Sequence, residues 1–94
     1  MKIAVTTENG QVFQHFGKTK TFTLYTVENG AVQEKTLLDG GDEGHSALVG
    51  VLKNAGVELL ICGGIGPGAQ NALAAAGITC VAGASGDVDA AVAA

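Results

Sequence analysis

The sequence predicts an α/β fold, with a mixed five-stranded sheet in the order β-β-β-α-β-α-β-α flanked by helices. Three observations carry this prediction. A stretch of alternating side chains reaches Asn29-Gly30 and then returns, which is the pattern of a two-residue hairpin. Beyond it, two short apolar runs are separated by a segment of helical spacing, as in a parallel βαβ unit. Finally, 47% of the 94 residues are apolar, enough for one core, and with only three Phe and one Tyr that core is mostly Val, Leu, Ile and Ala.

The first strand covers residues 2–7, and Glu8-Asn9-Gly10 reads as a turn. Residues 11–18 hold Val12, His15, Phe16 and Gly17 without periodicity and read as an ordered loop. The second strand, residues 21–28, sets Phe22, Leu24 and Tyr25 among threonines. Residues 31–38 return as the third strand, and Asp39-Gly40-Gly41-Asp42-Glu43-Gly44 reads as a flexible acidic connector. In residues 46–55, Leu48, Val51, Leu52 and Ala55 share a helical face, and Gly56 stops the helix. Residues 57–62 form the fourth strand. Pro67 suits the first turn of the next helix, where a missing N–H costs little; that helix passes Asn71, Leu73 and Ala76 and ends at Gly77. Residues 78–81 give a short fifth strand, and Asp87 caps a last helix over 88–94. No linker divides the chain, so residues 1–94 read as one domain.

Strand direction turns this order into a site. The loop carrying His15 leaves the carboxyl end of the first strand. The antiparallel second and third strands bring the connector before His45 to the same edge. The fourth strand delivers Cys62 and its glycines there, and the fifth places Cys80 near it. Ligands of open α/β sheets bind outside the carboxyl ends of parallel strands, so a pocket is expected at this edge.

The most informative stretch is Ile61-Cys62-Gly63-Gly64-Ile65-Gly66-Pro67-Gly68-Ala69. Strand, glycine loop, helix is how α/β proteins bring backbone N–H groups to an anion. The cysteine adds a soft sulfur donor, which suits a metal or metal–sulfur ligand better than a phosphate. The loop also reads as a structural turn, since glycine lets a helix pack close to a strand. Gly64-Ile65-Gly66-Pro67-Gly68-Ala69 formally fits a dinucleotide pattern but lacks a second mononucleotide half, and no P-loop Gly-Lys-Ser/Thr is present. Cys62 reads equally as a ligand and as a small buried hydrophobe. Cys80, inside a strand pattern, reads first as core; a Cys62–Cys80 disulfide is conceivable across neighbouring strands but unfavoured in a reducing compartment. In His15-Phe16-Gly17, Phe16 anchors the loop and Gly17 turns it, holding the imidazole near the pocket. His45, at a helix start, is either solvated or a second ligand. Lys18 and Lys20 add positive charge beside His15 or simply face solvent.

Composition excludes several classes. The net charge is −4 and the five basic residues are all lysines, which argues against a nucleic-acid surface. No apolar run approaches the roughly 20 residues of a membrane span. The first strand begins at once, which predicts no secretory leader, and two cysteines are too few for a disulfide scaffold. A cytoplasmic setting with free thiols is expected.

Several of these segments together resemble the dinitrogenase iron–molybdenum cofactor biosynthesis family. They are Met-Lys-Ile-Ala-Val-Thr at the start, His15-Phe16-Gly17, Gly44-His45-Ser46-Ala47-Leu48, Ile61-Cys62-Gly63-Gly64-Ile65-Gly66 and Ala69-Gln70-Asn71-Ala72-Leu73. The resemblance spans nearly the whole chain. It implies a ribonuclease-H-like fold, and a carrier of an iron–molybdenum cofactor or iron–sulfur type cluster rather than a catalyst. Its partners would be the metallocluster and the donor or acceptor proteins of cluster assembly. On this reading the backbone at Gly63, Gly64, Ile65, Gly66 and Gly68 faces the cluster, with Phe16 and Gly17 beside it. His15, His45 or Cys62 then ligates metal; Cys80 matches no motif.

Two other classes fit less well. A two-metal nuclease needs clustered carboxylates, and the first strand offers only Glu8 and the fourth only Glu58. A thiol oxidoreductase lacks its Cys-x-x-Cys. A partner-binding or regulatory domain without a cluster is the remaining alternative.

Overall fold

A computed structural model describes residues 1–40 and 45–93, excluding the side chains of His45 and Ser46. Asp42, Glu43 and the expected helix end at Ala94 lie outside the described residues, as does the imidazole of His45.

The chain runs β1 (Lys2–Glu8), β2 (Gln11–Val12), a 3-10 turn (Phe16–Lys18), β3 (Thr21–Glu28), β4 (Ala31–Asp39), α1 (His45–Asn54), β5 (Leu59–Ile61), α2 (Pro67–Ala75), β6 (Thr79–Val81) and α3 (Val88–Ala93). The sheet order is β4-β3-β1-β5-β6, with β2 attached to β1. β1 is antiparallel to β3 and parallel to β5, and β5 is parallel to β6. This is the mixed, ribonuclease-H-like sheet expected, and it carries the carboxyl ends of β1, β5 and β6 to one edge.

One element differs from expectation. Residues 11–12 are a strand, not loop, pairing Thr7 with Val12 and Glu8 with Gln11. The cause is Asn9-Gly10, whose φ values of 53° and 77° nearly repeat the 55° and 77° of Asn29-Gly30. Both pairs make the left-handed two-residue turn that matches strand twist. Both long helices also stop as their glycines require. Gly56 and Gly77 each have φ 78°. The N–H groups after them, of Val57 and Ile78, donate back to the Leu52 and Leu73 carbonyls at 3.1 and 2.9 Å. Asp87 caps α3, accepting from the Ala90 N–H at 3.0 Å.

The central strands β1 and β5 are covered on both faces, while the edge strand β4 is largely exposed. Ala4, Phe22, Leu60 and Cys62 face α1 and α2, packing on Leu48, Leu52 and Leu73. Each fully buried leucine contributes about 1.5–3 kcal/mol of burial free energy. Ile3, Val5, Tyr25 and Ile61 form a smaller core with Val88 of α3. This helix, six residues long, is fastened by side chains. Tyr25 donates its hydroxyl to Asp89 at 2.6 Å, and Lys35 pairs with the same carboxylate at 2.8 Å. Burial, then the hydrogen bond and charge of Asp89, raise the Tyr25 pKa well above its ordinary value. The hydrogen bonds from Lys35 and Tyr25 lower that of Asp89.

Candidate functional site

The loop after β2 is stitched to the glycine loop after β5. Phe13 N–H donates to the Thr6 carbonyl at 2.8 Å, and the buried Thr6 hydroxyl returns a bond to the Phe13 carbonyl at 2.8 Å. Gly63 N–H donates to the Phe13 carbonyl at 3.3 Å and Gly64 N–H to the Gln14 carbonyl at 2.7 Å. Phe16 N–H donates back to the Gly64 carbonyl at 3.0 Å, making His15 and Gly64 a parallel bridge. Phe16 is buried against Phe22, as its anchoring role requires. Gly17 lies in the tight 3-10 turn that follows. The His15 side chain is exposed, and its ring stands edge-on to Phe13 with centroids 6.0 Å apart.

The two halves of the glycine loop do different work. A Cβ on Gly64 would lie 2.5 Å from the Gln14 carbonyl oxygen, and one on Gly63 2.5 Å from the Gln14 side chain. Glycine is needed there for close approach of the two loops. The N–H groups of Gly63 and Gly64, expected to face a ligand, are instead held by backbone carbonyls. Farther along, a Cβ on Gly66 or Gly68 would meet nothing within 4 Å. Gly66 is the N-cap of α2 without a side-chain cap, and Pro67 follows it. The first N–H groups of a helix have no intrahelical partner, so that of the exposed Gly68 stands at an open helix start, while Ala69 is buried in the core. Ile65 is half-buried against the α1–α2 core, so it contributes packing rather than an open contact.

Cys62 points inward. It is fully buried among core side chains, and its sulfur lies 3.9 Å from that of the half-buried Cys80. Burial first, then the charge and hydrogen bond of Cys80, push the Cys62 thiol up to about 12. Of the two readings of Cys62, its position in the fold matches the small buried hydrophobe. His15 and Cys62 therefore belong to opposite sides of the same loop junction. Among the described residues no three His, Cys, Asp or Glu side chains converge as a metal-ion site.

Two neighbours of His15 had no distinct signal in the sequence. Gln14 ties the junction to the loop after β6, donating to the Val12 and Ala84 carbonyls at 3.1 Å each. Phe13 supports the imidazole and also lines a groove of about 550 Å³ on the α3 side of the sheet, with Thr7, Lys18, Lys20, Thr23 and Leu37. Among the described residues Lys18 and Lys20 make no ion pair. No described helix is long and apolar enough to cross a membrane.

Comparison with known proteins agrees with this fold. The orange protein of Desulfovibrio gigas, solved in its apo form, is 30% identical, with a TM-score of 0.81 over 97% of this chain and 82% of that one. The structure of PH0822 superposes with a TM-score of 0.93 at 25% identity, covering 99% of this chain and 86% of that one. Protein MJ0580 of Methanocaldococcus jannaschii, itself uncharacterised, is 30% identical over 83 residues, which cover 83% of this chain and 70% of its own. The family model described as dinitrogenase iron-molybdenum cofactor matches residues 1–94. The chain belongs to the dinitrogenase iron–molybdenum cofactor family.

Proposed function

We propose that this chain is a small, non-catalytic carrier of an anionic metal–sulfur cluster, an iron–molybdenum cofactor or a related cluster or precursor. The observation that carries the reading is the His15–Gly64 backbone bridge, which joins the loop bearing an exposed imidazole to the glycine loop that leads into α2. Imidazole suits iron as a ligand, and uncapped helix N–H groups suit anionic sulfides. The net charge of −4 opposes an anionic cargo. Lys18 and Lys20, close in sequence to His15 and lacking an ion pair among the described residues, offset that charge locally. One firm ligand on a braced loop, rather than a closed cage, allows release to an acceptor protein of cluster assembly. His45 is the candidate second ligand. Cys62 is left out of the cluster set because its sulfur is turned into the core.

The family supports the cofactor class, since its model is described by the iron–molybdenum cofactor. A reducing cytoplasm is the proposed setting, and residues 1–94 the proposed unit of binding. Anaerobic reconstitution with iron and sulfide tests the reading. Cluster absorbance retained through gel filtration by the wild type, and weakened by His15→Ala, supports it. Wild type that emerges free of iron and sulfide, and also fails to take up isolated cofactor, overturns it.

A further inference from the structure

The two edges of the sheet are unlike. β6 is three residues long, whereas β4 is nine residues long, and among the described residues no strand pairs with its outer side. Residues 31–37 are all exposed. The phase of the ladder says which backbone groups point outward. Gly40 N–H donates to the Lys20 carbonyl at 2.8 Å, so alternation makes Phe22–Leu38, Leu24–Thr36 and Thr26–Glu34 the hydrogen-bonded pairs. The mutual bonds of Met1 and Val27 fix the same phase from the other side of β3. Gln33, Lys35 and Leu37 therefore aim both N–H and C=O away from β3. Lysine commonly guards such an edge, but the Lys35 ammonium is drawn over the sheet face to Asp89 at 2.8 Å. Leu37, on the same face, is 73% exposed.

We propose that β4 is a self-association edge, on which two copies of this chain pair antiparallel with Leu37 opposite its own counterpart. A twofold axis perpendicular to the sheet generates this pairing and joins the two sheets into one. Charge selects the register. Centring on Leu37 sets Lys35 of each copy opposite Asp39 of the other, and opposite charges across strands attract. Centring on Lys35 sets two ammonium groups against each other, and centring on Thr36 sets Leu37 against Lys35. Only the first buries the exposed leucine against another leucine and pairs unlike charges on both sides of it. The contact is one short strand pair, smaller than a standard stable interface, so the dimer forms in a concentration-dependent way. β3 separates β4 from β1, and the pairing does not use His15.

The test is sedimentation equilibrium of the reduced protein from micromolar to millimolar loading. The average mass is expected to rise from one chain toward two. Leu37→Asp, at an exposed position, weakens association at least tenfold while circular dichroism stays native. Val81→Asp, on the opposite edge, leaves it unchanged. Disulfide trapping reads the register. In the proposed pairing Leu37 is a hydrogen-bonded pair with itself, with Cα atoms about 5.5 Å apart, within disulfide reach. Leu37→Cys therefore forms a covalent dimer on oxidation, above the wild-type background. Lys35→Cys does not, because four residues of strand rise separate its two copies by about 13 Å. A mass of one chain at every loading, association that survives Leu37→Asp, or equal trapping at positions 37 and 35 overturns the proposal.

Discussion

His15 and Gly64 are paired across two loops by backbone alone, with the Phe16 N–H donating to the Gly64 carbonyl at 3.0 Å. The exposed imidazole therefore owes its position to a glycine almost fifty residues away. Side-chain chemistry and loop placement are separable in this arrangement, and substitutions can address each in turn.

Gly64→Ala addresses placement. Its Cβ would meet the Gln14 carbonyl oxygen at 2.5 Å, and backbone on both sides must shift. A loss of about 1–3 kcal/mol is expected in urea unfolding. Gly68→Ala meets nothing within 4 Å and does not require positive φ, so it is expected to be neutral or stabilising. The gain would be at most about 1 kcal/mol, through lower entropy of the unfolded chain. Equal effects at the two positions would contradict the division of the loop.

Phe16→Ala removes the anchor beneath His15. The ring is buried against Phe22 and the α1 leucines, so about 3–5 kcal/mol of stability should be lost. His15→Ala, at an exposed side chain, should change stability by less than about 0.5 kcal/mol. Denaturant midpoints of the two variants check the contrast.

The α3 fastening predicts a dependence on pH at both extremes. The Tyr25 pKa is raised in the fold, so its contribution is complete below the unfolded tyrosine value of about 10 and fades as pH rises above it. The Asp89 pKa is lowered, so its contribution is present above the unfolded aspartate value of about 3.9 and is lost as pH falls further. Tyr25→Phe should flatten the alkaline fall in stability, and Asp89→Asn the acid one. Denaturant unfolding across the pH range reads both, and unaltered slopes would refute the fastening.

Much of the fold was legible in local signals. Asn29-Gly30, the two stop glycines and the Asp87 cap act through neighbours in the chain, and each appears where its chemistry demands. Asn9-Gly10 carried the same turn signal, but its returning strand is two residues long and too short to show alternation. The inward aim of Cys62 was hidden for a different reason. β5 is buried on both faces, so its apolar run has no polar side to mark direction. Only pairing with β1 and β6 shows that Cys62 shares the Leu60 face. The capture of the Gly63 and Gly64 N–H groups by residues 13–14 is a tertiary contact with no trace in local sequence.

The most direct measurement of a cluster-carrying role is the metal and sulfide content of protein loaded anaerobically with isolated iron–molybdenum cofactor and passed through gel filtration. Wild type and His15→Ala should be compared at matched folding. Cofactor co-eluting with the wild type and reduced at least tenfold in His15→Ala is the expected result. Equal retention by both proteins would contradict the assignment of His15, and no retention by either would contradict cofactor carriage.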